Sequence, residues 1–142
     1  MAKIKPMIDL KKMNNQLISE SFCDKPHDFY IAYNREADEL IIRLTEPKGF
    51  VSLYFLDDIH ALVIDLDKME IVGMEIINFA TEYIVNKRES SEVWETQHLA
   101  EVLAKYHKMH YSPEEKAKKP KETSPINSLY DNACREFNMI MA

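Results

Sequence analysis

Five short apolar runs between residues 29 and 77, each ended by a polar turn, constrain this chain more than any other feature of its sequence. Runs this short are typical of strands, and their aromatic and β-branched residues favour the same interpretation. The turns between them are brief, so neighbouring runs are expected to pair in antiparallel fashion. The runs are Phe29–Tyr33, Glu39–Leu44, Phe50–Leu56, His60–Leu66 and Ile71–Ile77. The sequence therefore predicts a small antiparallel β-meander over residues 29–78.

Glycine is scarce in this chain, which contains only Gly49 and Gly73. Gly49 follows Pro47 and Lys48 in a segment that ends the second run. Gly73 lies inside the fifth run, where a glycine normally weakens a strand because it has no side chain to pack. A glycine inside a strand often marks a place where neighbouring groups approach the backbone closely. We therefore predict that Gly73 is a structural glycine.

The segments on either side of the meander show helical periodicity. Residues 1–28 place apolar side chains near helical spacing and predict an N-terminal helical extension. Residues 91–111 repeat apolar side chains at i, i+3 and i+4, which predicts an amphipathic helix. Residues 112–125 contain three of the six prolines among lysines and glutamates, a composition typical of a mobile linker. The tail, residues 126–142, is apolar again along one side and predicts a docking helix.

Together these segments predict an α+β fold in one domain. A β-meander unit of residues 29–90 carries flanking helices and, after the linker, a C-terminal docking helix. The chain of 142 residues is 46% hydrophobic and 30% charged, which suits a single globular domain with a substantial core.

Charge and composition exclude several classes of protein. A formal net charge of −6 disfavours nonspecific nucleic-acid binding, which depends on basic side chains. No apolar run approaches the roughly 20 residues that span a bilayer, and no secretory signal is visible at the start. Cys23 and Cys134 are far apart and lack the spacing of metal ligands. We therefore expect a cytoplasmic protein without a membrane partner.

Two motifs within the meander carry a family resemblance. The first is a tyrosine, a polar turn with Ala-Asp and an apolar strand, in residues 33–44. The second is an apolar-Asp-x-Asp turn followed by Val-Gly-apolar-Glu-apolar, in residues 63–76. In this order they resemble the small prokaryotic family known as domain of unknown function 2283, over residues 29–78. The resemblance implies a strand-rich unit ending in a helix, and an accessory, antitoxin-like or defence-associated role without an assigned activity.

Acidic side chains of the meander form the first candidate site. On strands, Asp65 and Asp67 would share one face, and Glu75 would return on the next strand. Three converging carboxylates could bind a divalent cation such as Mg²⁺ or Ca²⁺. That arrangement would support a metal-dependent hydrolase or a binder of a small anionic ligand. The same aspartates also fit a hairpin turn in which they accept hydrogen bonds from their own backbone, and this simpler interpretation needs no cofactor.

Other catalytic patterns have little support. His107 and His110 would share a face of the predicted helix, but zinc motifs on helices usually use i, i+4 spacing with a glutamate between. Cys23 has His27 nearby in sequence, yet a free cysteine more often serves as a small buried hydrophobic residue. The sequence therefore favours a protein without enzymatic activity.

The supply of apolar side chains points instead to protein interaction. Eight methionines, seven tyrosines and six phenylalanines exceed what a strand unit of this size comfortably buries. Methionine and aromatic residues are enriched at protein interfaces. The tail residues expected at such an interface are Leu129, Tyr130, Phe137, Ile140 and Met141. The sequence therefore predicts a non-enzymatic intracellular interaction protein that binds itself, as a homo-oligomer, or another protein.

Overall fold

The computed structural model describes residues 26–47, 50–85, 99–112 and 125–141. Within these ranges the chain forms a six-stranded antiparallel sheet with a few helices, an α+β or mainly β architecture. The strands are β1 (His27–Asn34), β2 (Glu39–Arg43), β3 (Ser52–Phe55), β4 (His60–Asp65), β5 (Glu70–Ile77) and β6 (His107–Tyr111). The helices are α1 (Leu99–Val102) and α2 (Pro125–Met141), and a π-helical turn covers Phe79–Tyr83.

The order of strands in the sheet is β3-β4-β5-β2-β1-β6. The five strands predicted between residues 29 and 77 are confirmed, as is their antiparallel pairing. A simple meander would place β2 beside β3, and this part of the prediction is wrong. β2 instead pairs with β5, with Ile41 opposite Glu75 and Arg43 opposite Gly73.

Burial explains why β5, and not β3, lies beside β2. β5 is buried from Ile71 to Ile76, so side chains on both of its faces are covered. A strand of this kind belongs in the interior of a sheet, with a neighbour on each side. β3 alternates between half-buried and exposed residues, and it occupies one edge of the sheet.

The amphipathic helix predicted for residues 91–111 is wrong over its C-terminal part. Within the described residues, α1 extends only from Leu99 to Val102, and residues 107–111 form β6, which pairs with β1. In β6, His107, Met109 and Tyr111 are less exposed than Lys108 and His110, which is the period of a strand. Some apolar residues that fit helical spacing also fit this two-residue alternation. Pairing with the outer edge of β1 favours the strand over the helix.

Other predicted boundaries fall partly outside the described residues. The N-terminal extension of residues 1–28 is described only from residue 26, and β1 already begins at His27. Of the linker predicted for residues 112–125, the stretch 113–124 also lies outside the described residues. The helix predicted in the tail is confirmed as α2. It begins at Pro125, and proline is favoured at the first position of a helix because that position needs no N–H donor.

One face of the sheet and α2 enclose the hydrophobic core, and this face is called the inner face below. The inner face contributes Phe29, Ile31, Leu40, Ile42, Leu62 and Met74 among others, and α2 contributes Leu129, Tyr130, Ala133, Cys134 and Phe137. The rings of Phe29 and Tyr130 are stacked with centroids 3.8 Å apart. Phe137 meets the ring of His60 on β4 at 5.2 Å, so α2 crosses the sheet from β1 to β4. Within the described ranges, the helices are too short or too polar to cross a membrane.

Asp38, in the turn between β1 and β2, connects this turn to the π-helical turn through hydrogen bonds. Its carboxylate accepts hydrogen bonds from the Tyr33 hydroxyl (2.6 Å), the Ala80 N–H (2.8 Å) and the Thr81 hydroxyl (2.9 Å). Burial alone would raise the pKa of Asp38, but these hydrogen bonds outweigh it and lower that pKa. Burial and the bond to Asp38 raise the pKa of Tyr33 to about 12. The tyrosine and Ala-Asp of the first motif are therefore parts of one structural junction.

Gly73 lies where two strands approach closely. A Cβ atom at this position would lie 2.3 Å from the backbone oxygen of Ile42 and 3.1 Å from Cδ of Arg43. No side chain fits there without displacing β2. The missing side chain also leaves room for the aliphatic stem of Arg43 on the outer face of the sheet.

Candidate functional site

The predicted carboxylate site is divided between two places in the sheet. Asp65 ends β4, and its Oδ1 accepts hydrogen bonds from the backbone N–H groups of Asp67 (3.0 Å) and Lys68 (3.2 Å). This is the hairpin turn that the simpler interpretation of the sequence describes. Asp65 therefore orders the connection from β4 to β5.

Glu75 lies far from this turn. It stands opposite Ala61, four residues along β4 from Asp65, and at 3.4 Å per residue this is a separation of about 13 Å. The structure does not bring Asp65, Asp67 and Glu75 together around one ion. Among the described residues, no group of three or more His, Cys, Asp or Glu side chains is placed to hold a metal ion.

Glu75 instead belongs to a group of four polar side chains on the outer face, named here the Glu75 cluster. Its members are Glu39 and Arg43 on β2, Glu75 on β5, and Tyr106 just before β6. Because Ile41 is paired with Glu75, Glu39 and Arg43 are the diagonal neighbours of Glu75 on the same face. Electrostatic interactions connect Glu75 with Glu39 and Arg43, and Tyr106 with Arg43.

The electrostatics of this cluster favour a neutral Glu75. Burial is the largest cause, and the hydrogen bond and negative charge of Glu39 act in the same direction. The positive charge of Arg43 lowers the pKa of Glu75, but by less than the other causes raise it. The net effect raises this pKa to about 8. These causes together favour the protonated form of Glu75 near neutral pH.

Arg43 is buried beside this neutral acid. In the part of the chain that the structure describes, its Nε–H group is buried and has no hydrogen-bond partner. A buried donor left without an acceptor costs about 1–3 kcal/mol, so such groups usually have a partner or a bound molecule. Among the described residues, Arg43 Nε–H is thus a buried donor of the Glu75 cluster that lacks an acceptor.

An open groove of about 610 Å³ borders the cluster at Tyr106. Ala32 and Ile41 line it from the sheet, and Ala100 and Ala104 line it from the segment that contains α1. Charged side chains of both signs also line it: Arg35, Glu36, Glu101 and Lys105. The groove thus combines an apolar sheet surface with a mixed set of charges.

A second charged group joins the inner face to α2. His60 on β4 places Nδ1 2.9 Å from Oδ1 of Asp57, and its Nε2 lies 3.5 Å from Oε1 of Glu136 on α2. The hydroxyl of Tyr83 donates a hydrogen bond to Glu136. Burial lowers the pKa of His60, but its bonds to Glu136 and Asp57 outweigh this and raise it. Through its two nitrogens, the imidazole of His60 connects the β3–β4 turn to the C-terminal helix.

The two histidines predicted to share a helix face lie on β6 instead. His110 Nδ1 lies 2.8 Å from Oδ1 of Asp28, and Lys108 forms a second ion pair with that carboxylate at 3.7 Å. The imidazole of His107 contacts the carbonyl oxygen of Val102 at the end of α1. These contacts serve the pairing of β6 with β1.

The predicted interaction residues of the tail are mostly core residues. Leu129, Tyr130 and Phe137 are buried against the sheet of their own chain. Ile140 is 38% exposed and faces outward, as does its neighbour Met139 at 78%. The side chain of Met141 lies outside the described residues.

A different apolar surface is exposed along β3, and it is named here the β3 edge patch. It consists of Phe50, Val51, Leu53 and Phe55. Phe50 is 96% exposed and Phe55 is 56% exposed, unusual values for phenylalanine. A contiguous exposed apolar surface of this kind commonly marks a site of protein interaction.

Most of these functional candidates leave no signal in the local sequence pattern. Glu39, Arg43 and Glu75 come together only through the pairing of β2 with β5, which a meander does not contain. His60 and Glu136 are 76 residues apart in the chain. The run of uncharged residues from Phe50 to Leu56 was visible, and it could have identified an unprotected edge strand.

Comparisons with protein-family models, with curated proteins and with solved structures give no significant match to this chain.

Proposed function

We propose that this chain is a non-enzymatic interaction protein that forms a homo-oligomer through the β3 edge patch. The observation that carries the proposal is the exposure of four apolar side chains on an edge strand and the segment just before it: Leu53 and Phe55 lie on β3, and Phe50 and Val51 precede it. At about 25 cal/mol per Å², covering several large apolar side chains favours association. An accessory, antitoxin-like or defence-associated role, as the family resemblance implies, is compatible with a protein that acts by binding.

The opposite edge of the sheet supports this choice of surface. β6 carries Lys108 and His110, both paired with Asp28 of β1. Charged side chains on an edge strand discourage pairing with another chain. From Phe50 to Leu56 the sequence contains no charged residue, so β3 lacks this protection.

Sedimentation velocity of the full-length protein over a hundredfold concentration range tests the proposal. We expect the wild type to associate and the double variant F50S/F55S to sediment as a monomer with an unchanged circular dichroism spectrum. M139S is the matched control, because it removes an exposed apolar side chain from α2 and leaves β3 intact. A wild type that is monomeric at every concentration, or M139S behaving like F50S/F55S, would contradict the proposal.

The Glu75 cluster supports a second candidate function, the binding of a small anion. An anion that accepts a hydrogen bond from Arg43 Nε–H would satisfy this buried group. Such a ligand needs no metal ion.

Thermal unfolding in the presence of acetate or inorganic phosphate tests this candidate. We expect millimolar concentrations of a bound anion to raise the Tm of the wild type at neutral pH, because a ligand that binds the folded state stabilises it. The increase should disappear in R43M. Chloride at equal ionic strength is the control for nonspecific salt effects, and an equal response to all three salts would exclude a specific site.

A further inference from the structure

The direction of the backbone groups in β3 specifies how a second chain would bind. The Leu56 N–H donates to the carbonyl oxygen of His60 at 2.8 Å, so the backbone of Leu56 faces β4. Backbone groups alternate in direction along an antiparallel strand. Ser52 and Tyr54 therefore also face β4, whereas the N–H and C=O groups of Val51, Leu53 and Phe55 point outward from the edge.

The side chains of the same outward-facing residues share one surface. Tyr54 packs against the core, so the alternate residues on either side of it point to the outer face. Val51, Leu53 and Phe55 are all exposed there. β3 thus offers a row of free hydrogen-bonding groups together with a row of apolar side chains, the two features that an added strand requires.

We propose that β3 pairs antiparallel with β3 of a second copy of this chain, about a two-fold axis at Leu53, to form one continuous sheet. This inference rests on the proposed function and adds the partner, the direction and the register. Leu53 then lies opposite Leu53 of the second copy, and Val51 lies opposite Phe55. Each of these pairs can exchange two N–H···O bonds, and the side chains of these pairs are apolar.

An uncharged interface lowers the electrostatic cost of bringing two copies of this chain together. Two chains of formal net charge −6 repel one another, so they approach best where neither carries charge, and Phe50 to Leu56 is such a segment. Asp57 and Asp58 follow it directly. In an antiparallel pair the aspartates of the two copies lie at opposite ends of the interface, whereas a parallel pair would place them side by side. The acidic residues thus select the antiparallel direction.

A charge exchange at Leu53 tests the two-fold axis. In L53K each homodimer would place two lysines directly opposite each other, and in L53E it would place two glutamates there. We expect each variant alone to sediment as a monomer and the equimolar mixture to form a dimer. L53T is the control that keeps the strand uncharged, and it should retain association more fully than either charged variant.

Amide hydrogen exchange of the unmodified wild type provides a test that does not depend on a variant. We expect the amides of Leu53 and Phe55 to become at least tenfold more protected between dilute and concentrated protein, while the Tyr54 amide changes less. Wild-type association without these changes, charged variants that stay associated, or a mixture that stays monomeric would each overturn the β3 pairing and leave the proposed function intact. A wild type that never associates would overturn both.

Discussion

Glu75 and His60 are buried ionisable residues whose surroundings couple the stability of the fold to pH. Glu75 lies on the outer face beside Glu39 and Arg43, and His60 lies on the inner face between Asp57 and Glu136. The pKa of each is raised, so the folded state of each group binds a proton more tightly than the unfolded chain does. Stability supplied by such a group is present at low pH and is lost as the pH rises through its folded pKa.

For Glu75 the window lies between its ordinary pKa of 4.5 and its folded value of about 8. We expect the free energy of unfolding to decrease by up to about 5 kcal/mol across this window, since the unfolded chain releases a proton that the folded chain retains. In E75Q the free energy of unfolding should change less with pH. E70Q, which makes the same chemical change at the other end of β5, is the control. Urea unfolding at several pH values measures the effect. If the free energy of unfolding changed with pH equally in E75Q and E70Q, the prediction would be contradicted.

For His60 the contribution is complete below its ordinary pKa of 6.5 and declines as the pH rises through the higher folded value. We compare the double variant H60Q/E75Q with E75Q alone. We expect the double variant to lose the pH dependence of the free energy of unfolding that remains in E75Q above about pH 6.5. An NMR titration of the imidazole provides a direct reading, and E136Q should lower the pKa of His60. H110Q is the control, because His110 is exposed on β6. An unchanged His60 titration in E136Q would show that Glu136 does not stabilise the charged form.

The residues of these clusters show what sequence analysis can and cannot identify. Asp65 was correctly described by the turn interpretation, because its hydrogen bonds reach only to residues 67 and 68. Glu75 was selected as a metal ligand, but its actual neighbours come from β2. Local spacing determines contacts within a turn, and it contains no information on which strand becomes a neighbour.

At the scale of elements, α2 contributes to the core of its own chain. Leu129, Tyr130, Ala133, Cys134 and Phe137 recur on one side of the helix, and all are buried against the sheet. The sequence correctly predicts the amphipathic helix, since its pattern is local. It does not indicate which apolar surface the helix covers. The sheet of the same chain is linked to it through a short segment, and this proximity favours docking within the chain.

Truncating a buried and an exposed residue of α2 tests this docking. We expect F137A to lower the free energy of unfolding by about 3–5 kcal/mol, because it removes a fully buried ring that contacts His60. M139A on the exposed side should change it by less than about 0.5 kcal/mol. Chemical unfolding of the two variants provides the measurement. Comparable losses in both would indicate that α2 does not pack as described.

Strands whose pattern is local are predictable from the sequence, whereas a strand defined by pairing with a distant segment is not. β1 to β5 were predicted because each has an apolar run bounded by polar turns. β6 was assigned to a helix, because five residues of alternation are too few to outweigh a longer helical pattern. Its pairing with β1 joins residues about 80 positions apart, with His27 opposite Tyr111.

At the scale of the whole molecule, the unequal edges of the sheet govern association. β6 carries paired charges at one edge, and β3 exposes uncharged apolar residues at the other. Within residues 26–47, 50–85, 99–112 and 125–141 the sheet has one uncharged edge, so we expect pairing to stop at two copies.

Association of this kind should make thermal stability depend on protein concentration. The dimer stabilises the folded state by mass action, and the wild-type Tm should therefore rise by a few degrees between about 1 and 100 µM. F50S/F55S should show no such increase, whereas M139S should match the wild type. Differential scanning calorimetry across this range measures the effect. A wild-type Tm independent of concentration would contradict association in solution.

The sequence by itself determined the features that depend on neighbouring residues. These are five of the strands, the Asp65 turn, the amphipathic character of the tail and the absence of charge from Phe50 to Leu56. The tertiary structure alone decided that β2 pairs with β5, that β6 is a strand, and that α2 buries Phe137 in its own core. In each case, segments that are far apart in the chain are alternatives for packing against the same apolar surface. The segment that packs best against that surface covers it. The Glu75 cluster and the exposed β3 edge are both consequences of that competition.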